Sequence, residues 1–305
     1  MENADDFEFK AGFVAVAGRP NVGKSTLVNA LLGQKIAAVS PRPQTTRKQQ
    51  LGIITRDEAQ IIFVDTPGLH FEKHKLGGLM NAEAVLALEE DDVILVVVDV
   101  SEEPQDEDKL LADTIRDVNR SIPVVVGVNK VDLVSAEERE ARVQAYQELF
   151  PAAEILEISA ATGENLDTLI DYLVDLLPAG YPFYPPDQVT DSYERDIASD
   201  LIREAALLHL RDEVPHGIAV RIDQYTERGD KGAYVEATLF VERDSQKGIV
   251  IGKGGRQLKV IGTTARKEIE AMSGRKVFLQ LRVKVQKNWR NDEGFLRRFN
   301  FRGRS

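Results

Sequence analysis

At 305 residues the chain is long for one average domain and suits two. It has no cysteine, which excludes disulfides and thiolate metal sites, and 43% hydrophobic residues, enough for globular cores. The net charge of −11 conceals a split: residues 1–190 carry 16 Lys+Arg against 33 Asp+Glu, and residues 191–305 carry 23 against 17. An acidic half followed by a basic half points to different partners, with a polyanion the candidate for the second.

The N-terminus, MENADDFEFK, is acidic and lacks an apolar core, so no signal peptide is expected. Residues 12–18, GFVAVAG, read as a strand, and 24–33, KSTLVNALLG, as a helix ending at Gly33. AQIIFVDTPG (59–68), DDVILVVVDV (91–100) and IPVVVGVNKVD (122–132) read as further strands rich in Val and Ile. Continuous apolar strands of this kind are buried on both faces of a parallel sheet. All are too short to cross a bilayer. The acidic clusters EEDD (89–92) and EEPQDEDK (102–109), like the charged run 137–144, read as solvated helix ends and faces. Four prolines and a glycine then break the composition within 177–191, predicting a stiff extended connector.

Beyond it, 196–210 has helical spacing, and GIAVRIDQY (217–225) and AYVEATLFVER (233–243) alternate as half-buried strands. A helix, a glycine loop, a second helix to about Met272 and a strand over 276–286 follow. The expected division is 1–180, a proline-rich linker 181–190, and 191–305 with a C-terminal tail.

Gly18 to Ser25, GRPNVGKS, fits G-x-x-x-x-G-K-[ST] between a strand and a helix. Such a loop wraps a phosphate with backbone N–H groups at a helix N-terminus. Lys24 is expected on the β- and γ-phosphates and the Ser25 hydroxyl on Mg²⁺. The contact loop runs through Arg19, Pro20, Asn21, Val22 and Gly23 to Thr26. DTPG ends a strand; Asp65 is expected to hold the magnesium through water and the Gly68 N–H to meet the γ-phosphate. Thr46, in the polar loop PQTTRK (43–48), is the expected second hydroxyl on Mg²⁺. In NKVD, Asn129, Lys130 and Asp132 suit guanine, because the Asp132 carboxylate can accept from N1–H and the exocyclic amine. Adenine would leave that carboxylate unpaired. Ser159–Ala160 would offer a backbone N–H to the guanine oxygen.

Over residues ~10–180 the motifs GRPNVGKST, PQTTR, DTPGLH and NKVD resemble the TrmE–Era class of translation-factor-related GTPases. The resemblance implies an α/β P-loop GTPase domain, a mostly parallel sheet with helices on both faces, cycling between GTP and GDP. Leu69 follows DTPG where Ras-like proteins place a water-orienting glutamine, so catalysis must draw on other groups. The resemblance implies that Asn21 ligates a potassium ion standing in for an arginine finger; the alternative for Asn21 is an Asx-turn that stabilises the loop. Lys24, Thr46, Gly68 and Asn21 are the candidate catalytic residues.

VIGKGGRQL (250–258) fits the KH signature V-I-G-x-x-G-x-x-[ILV]. Gly252, Lys253, Gly254 and Gly255 are expected to turn between two helices and let an RNA backbone approach. Ile249, Ile251 and Leu258 would line a groove for about four unstacked bases, with Arg256, Lys259, Arg266 and Lys267 at its rim. The alternative is a glycine loop that only reverses two helices. With both strands ahead of the loop, the order fits the second, prokaryotic KH type, an α+β fold. In the basic tail from Val283, Trp289, Phe295, Phe299 and Phe301 could stack bases, but docking onto their own domain is the favoured reading for Trp289.

The combination of GTPase domain, proline linker and one KH domain resembles the Era family along nearly the whole chain. That resemblance implies binding to the 3′ end of small-subunit ribosomal RNA and help in maturing the 30S particle. It also implies a cytoplasmic protein, partly peripheral at the inner membrane face; a monomer is the default. A housekeeping GTPase at a membrane or in cell-cycle control, with the KH part as an interaction module, is the competing reading. His70 and His74 have metal-compatible i,i+4 spacing but no third ligand nearby, and read as switch packing.

Overall fold

A computed structural model describes residues 9–40, 46–72, 74–118, 121–211, 214–229 and 232–301. Most of the acidic N-terminus, the Pro43–Thr45 part of PQTTRK and the last four tail residues lie outside the described residues. The chain divides into two compact units: Met1–Gly33, Thr46–Phe71 and Met80–Asp191 in one, and Gln34–Thr45, Glu72–Leu79 and Ser192–Ser305 in the other.

The first unit is built on a six-stranded sheet of order β2-β3-β1-β4-β5-β6. Its strands are β1 (Lys10–Ala17), β2 (Gln50–Thr55), β3 (Ala59–Asp65), β4 (Val93–Asp99), β5 (Val124–Asn129) and β6 (Glu154–Glu157). Only the β2–β3 pair is antiparallel. All seven residues of β3 and of β4 are buried, as their Val- and Ile-rich runs require in a sheet covered on both faces, and the buried Gln60, Asp65 and Asp99 are the polar exceptions in these two strands. Helix α1 (Lys24–Leu32) ends on Gly33 at φ 65°, whose N–H returns to the Ala30 carbonyl. Then come α2 (Lys75–Glu90), which belongs to this unit from Met80 onward, α3 (Asp106–Val118), α4 (Ala136–Leu149) and α5 (Leu166–Leu176). Ser135 and Glu138 form a reciprocal capping box at the start of α4.

Two acidic clusters differ from their solvated expectation. Asp108, in the first turn of α3, is fully buried. Asp92 is half-buried, and its Oδ2 accepts from the Phe13 N–H at 2.8 Å, tying the end of α2 to β1. The proline-rich stretch also does more than connect. Gln60, fully buried, accepts from the N–H groups of Phe183 and Tyr184 and donates to the Tyr184 carbonyl. The Ile53 N–H donates to the Val189 carbonyl at 2.9 Å. The stretch is therefore pinned along β2 and β3, with Phe183 edge-on to Phe13 at 5.1 Å.

The second unit follows the order α6 (Glu194–His209), β7 (Ala219–Glu227), β8 (Ala233–Val241), α7 (Asp244–Ile251), α8 (Arg256–Ser273), β9 (Val277–Val285) and α9 (Glu293–Arg298). Its sheet runs β7-β8-β9, antiparallel at the first pair and parallel at the second. One face, with Val235, Ala237, Leu239 and Val283, packs against Leu201 and Ile202 of α6 and Ile261 and Ile269 of α8. This is the α+β order read from the sequence. Among the described residues no helix is long and apolar enough to cross a membrane.

Asp91, beside Asp92 and Glu90, has its carboxyl pushed up to about 7 by burial and then by those two charges. The folded chain therefore binds more protons than the unfolded chain between the ordinary carboxylate range and pH 7, and stability falls as pH rises through that window. Asp91→Asn is expected to raise the melting temperature at pH 8 and to change it much less at pH 4.5. Thermal unfolding at the two pH values checks this; an equal shift at both would contradict it.

Candidate functional site

The nucleotide candidates gather beyond the carboxyl ends of β1, β3, β4 and β5, where open α/β sheets place ligands. The chain leaves β1 into a loop that only glycine permits at two positions. A Cβ on Gly18, at φ 154°, would sit 2.4 Å from the Val97 carbonyl oxygen; one on Gly23, at φ 107°, would sit 2.4 Å from Asn129 Nδ2. Lys24 opens α1 and is buried, its Nζ donating to the Gly18 and Arg19 carbonyls at 2.9 and 3.1 Å. Burial pushes its pKa down to about 8, opposed by Asp65. A phosphate is the partner that would restore the full charge.

Three oxygens meet next to Lys24. Ser25 Oγ lies 2.7 Å from both Thr46 Oγ1 and Asp65 Oδ2, and Thr46 Oγ1 is 3.2 Å from Asp65 Oδ2. Gly68 comes against the loop backbone, where a Cβ would lie 2.8 Å from the Pro20 nitrogen. Leu69 is buried in the core beneath, so its side chain offers nothing to a water in the site. His70 approaches the Gly68 carbonyl through Nδ1 at 3.0 Å, and its backbone is bracketed by Asn81.

The base-reading loops are joined by one amide. Asn129, 2% exposed, donates from Nδ2 to the Val22 carbonyl at 2.8 Å and accepts at Oδ1 from the Ala160 N–H at 2.9 Å. Lys130, at φ 71°, donates to the Asn21 carbonyl at 3.0 Å. Asp132 accepts from the Ser159 hydroxyl at 2.6 Å, which fixes one carboxylate oxygen. The structure thus brings the candidates from Gly18 to Thr26, with Thr46, Asp65, Gly68, Asn129, Lys130, Asp132, Ser159 and Ala160, to one end of one sheet.

Sequence reasoning missed the residues that hold this frame from behind. Arg19 donates to Glu102 at 2.6 Å and to Asp108 at 3.1 Å. Asp108 Oδ2 also accepts from the Gln105 N–H, and burial holds its carboxyl above the ordinary range. Lys130 Nζ pairs with Asp99, and the buried Tyr146 hydroxyl donates to the Asp99 carbonyl at 3.1 Å. The motifs point to the loops; no local pattern marks an acid in α3, 89 residues further on, as the partner of a loop arginine.

The glycine loop of the second unit joins α7 to α8. Gly252, Gly254 and Gly255 have φ of 70°, 61° and 76°. A Cβ on Gly252 would collide with Gln257, whereas one on Gly254 or Gly255 would meet no atom within 4 Å. The turn is therefore bare toward solvent, with Lys253 and Arg256 exposed beside it. Against it lies an open groove of about 370 Å³ lined by Gly255, Leu258, Lys259, Arg266, Leu279 and Leu281, together with Gly262 and Thr263. Of the apolar candidates, Leu258 lines the groove. Ile251 packs on the core, and Ile249 is exposed outside the lining. The two leucines of β9 were missed because they arrive from a strand distant in sequence.

Trp289 is fully buried, its Nε1 donating to the Gly217 carbonyl at 2.9 Å. Phe295 and Phe299 stack at 4.4 Å and both meet Phe240 edge-on. These aromatics dock the tail.

Residues 13–130 match the family described as 50S ribosome-binding GTPase, and residues 213–290 match the KH domain. The chain is also similar to a solved Era in complex with MgGDPNP and nucleotides 1506–1542 of 16S ribosomal RNA, at 39% identity over 96% of this chain and 99% of that one, TM-score 0.90. A variant of Aquifex aeolicus Era bound to GDP·AlF4⁻ matches at 40% identity with the same coverage and TM-score. The chain belongs to the Era family. Both Era relatives match across the two units alike, so the GTPase loops and the KH loop fall within one aligned chain rather than in separate likenesses.

Proposed function

We propose that this Era-family GTPase is a guanine-nucleotide switch that binds unpaired RNA, the 3′ end of small-subunit ribosomal RNA, and assists assembly of the 30S subunit. The observation that carries this reading is the 39% identity, over 99% of its length, to an Era chain that holds a GTP analogue and 16S ribosomal RNA together. The division of labour assigned is residues 1–180 for the nucleotide, 181–190 as linker and 191–305 for RNA. The proposed location is the cytoplasm, with a share at the inner membrane face, and the family reading is what supports it.

In the nucleotide site, Lys24 and the loop N–H groups hold and orient the phosphates, and the start of α1 adds positive potential. Asp132 accepts from guanine N1–H and its exocyclic amine, while the Ala160 N–H faces the guanine oxygen. The gathered oxygens of Ser25, Thr46 and Asp65 are hard donors of the type Mg²⁺ takes, so the residues present fit that ion. When bound there, Mg²⁺ neutralises charge on the phosphate oxygens. Thr46 and Gly68 sit on loops that a γ-phosphate would order and its loss would release.

The Gly252–Gly255 turn admits the RNA backbone beside Lys253 and Arg256, and the groove takes unstacked bases. Gly254→Asp combined with Gly255→Asp, the two turn positions where a side chain meets no neighbour, is expected to abolish RNA retention while GTP binding persists. Filter binding and nucleotide titration on the same preparation check it. Unchanged RNA retention would replace the RNA reading with that of a protein-interaction module.

Asn21 is assigned as a potassium ligand. What supports this is an exposed side chain on the phosphate loop and the burial of Leu69, which leaves the usual water-orienting position without a polar group. Hydrolysis is expected to run at least tenfold faster in potassium than in sodium chloride, with Asn21→Ala removing the difference. Steady-state phosphate release in the two salts checks this, and equal rates would contradict it.

A further inference from the structure

The RNA groove occupies one face of the sheet of the second unit, and the opposite face is divided. At one end Phe240 is covered by Phe295 and Phe299 of the docked tail, with the Arg221 guanidinium over its ring. At the other end Phe278 is 66% exposed. Its ring stacks on Tyr234, the register partner across the β8–β9 pair, at 5.7 Å and 11° between planes. The Tyr234 hydroxyl is fixed at 3.1 Å from both Glu236 and Gln280, and the Arg228 guanidinium lies 5.2 Å from its ring centre. Cross-strand aromatic pairs stabilise sheets when they bury each other. Here the Phe278 ring rests on a hydrogen-bonded tyrosine while most of its own surface stays in water.

β9 is the outer strand of this sheet and also a wall of the groove. Side chains alternate along a strand, so Leu279 and Leu281 face the groove while Phe278 and Gln280 face the other way. Phe278 directly precedes the groove-lining Leu279, so the groove and the Phe278 ring lie on opposite faces of one edge strand. We propose that Phe278, mounted on Tyr234, is a second RNA subsite: a stacking platform for an unpaired base flanking those held in the groove. This rests on the RNA reading above and extends it. Arg228 and Arg282 supply cations on that face, although Arg282 is partly engaged by Glu236 at 2.6 Å. An aromatic ring beside guanidinium groups suits a base and its phosphate, and stacking is tolerant of sequence. A protein partner would ask for a contiguous apolar patch, and the neighbours of Phe278 on this face are polar or charged.

The test compares two sets of RNA probes on the full chain: the unpaired 3′-terminal dodecamer of small-subunit ribosomal RNA, and nested tri- and tetranucleotides cut from it, which fill the groove without a flanking base. The wild type is expected to bind the dodecamer more tightly than any short probe. Phe278→Ala should weaken dodecamer binding about five- to 150-fold, the range that one to three kcal/mol of stacking implies. It should leave the best short probe and the melting temperature unchanged, and Phe278→Tyr should restore the dodecamer affinity. Equal loss for short and long probes would overturn the proposal, because Phe278 would then act through the groove. Unchanged affinity for every probe would overturn it too and leave the face to a protein partner or to none. If no probe binds the wild type, the RNA reading itself fails, which is a separate result.

Discussion

The nucleotide site depends on one buried amide. Asn129 reaches from the end of β5 to the Val22 carbonyl of the phosphate loop and receives the Ala160 N–H of the loop after β6. Both bonds are dry, and losing either would leave a buried polar group unpaired, a cost of about 1–3 kcal/mol. Its position also explains Gly23: any side chain there would occupy the place of the amide nitrogen. A loop for phosphate and loops for a base are thereby held in one frame before any ligand arrives.

Charges reinforce that frame from the side away from the ligand. The Arg19 side chain points back to Glu102 and Asp108, and Lys130 to Asp99, so two cations on the site's loops are held by acids of the same sheet end. Lys24 Nζ donates to the Gly18 and Arg19 carbonyls and its pKa is lowered by burial, so a phosphate would support its charge. The second unit works differently: its glycine turn is bare to solvent, and the adjoining groove mixes leucines with Lys259 and Arg266. The acidic and basic halves of the sequence thus correspond to a site that must position one nucleotide and a surface that must attract a polyanion.

The motif-bearing parts were legible from sequence because their chemistry is local. GRPNVGKS, DTPG and NKVD each lie within a few residues at the end of a buried apolar strand, and the glycines of the KH loop declare a backbone that needs positive φ. What stayed hidden is non-local. Asp108 reads as one more solvated acid in EEPQDEDK until α3 folds it against Arg19. Gln60 looks like an interruption in AQIIFVD until the proline stretch returns to it. Leu279 and Leu281 have the same spacing as any half-buried strand, and nothing in that spacing says which face borders a groove. β2 was missed because its short QLGIIT run contains a glycine and follows a polar loop.

If Asp132, Asn129 and the loops they organise read the base, the site selects guanine over adenine. The decisive measurement is titration of the nucleotide-free chain with GTP and with ATP, both with Mg²⁺. Saturable GTP binding is expected, with an affinity for ATP about four orders of magnitude weaker, because adenine leaves the Asp132 carboxylate without the two donors that guanine offers it. Comparable affinity for the two nucleotides would contradict it.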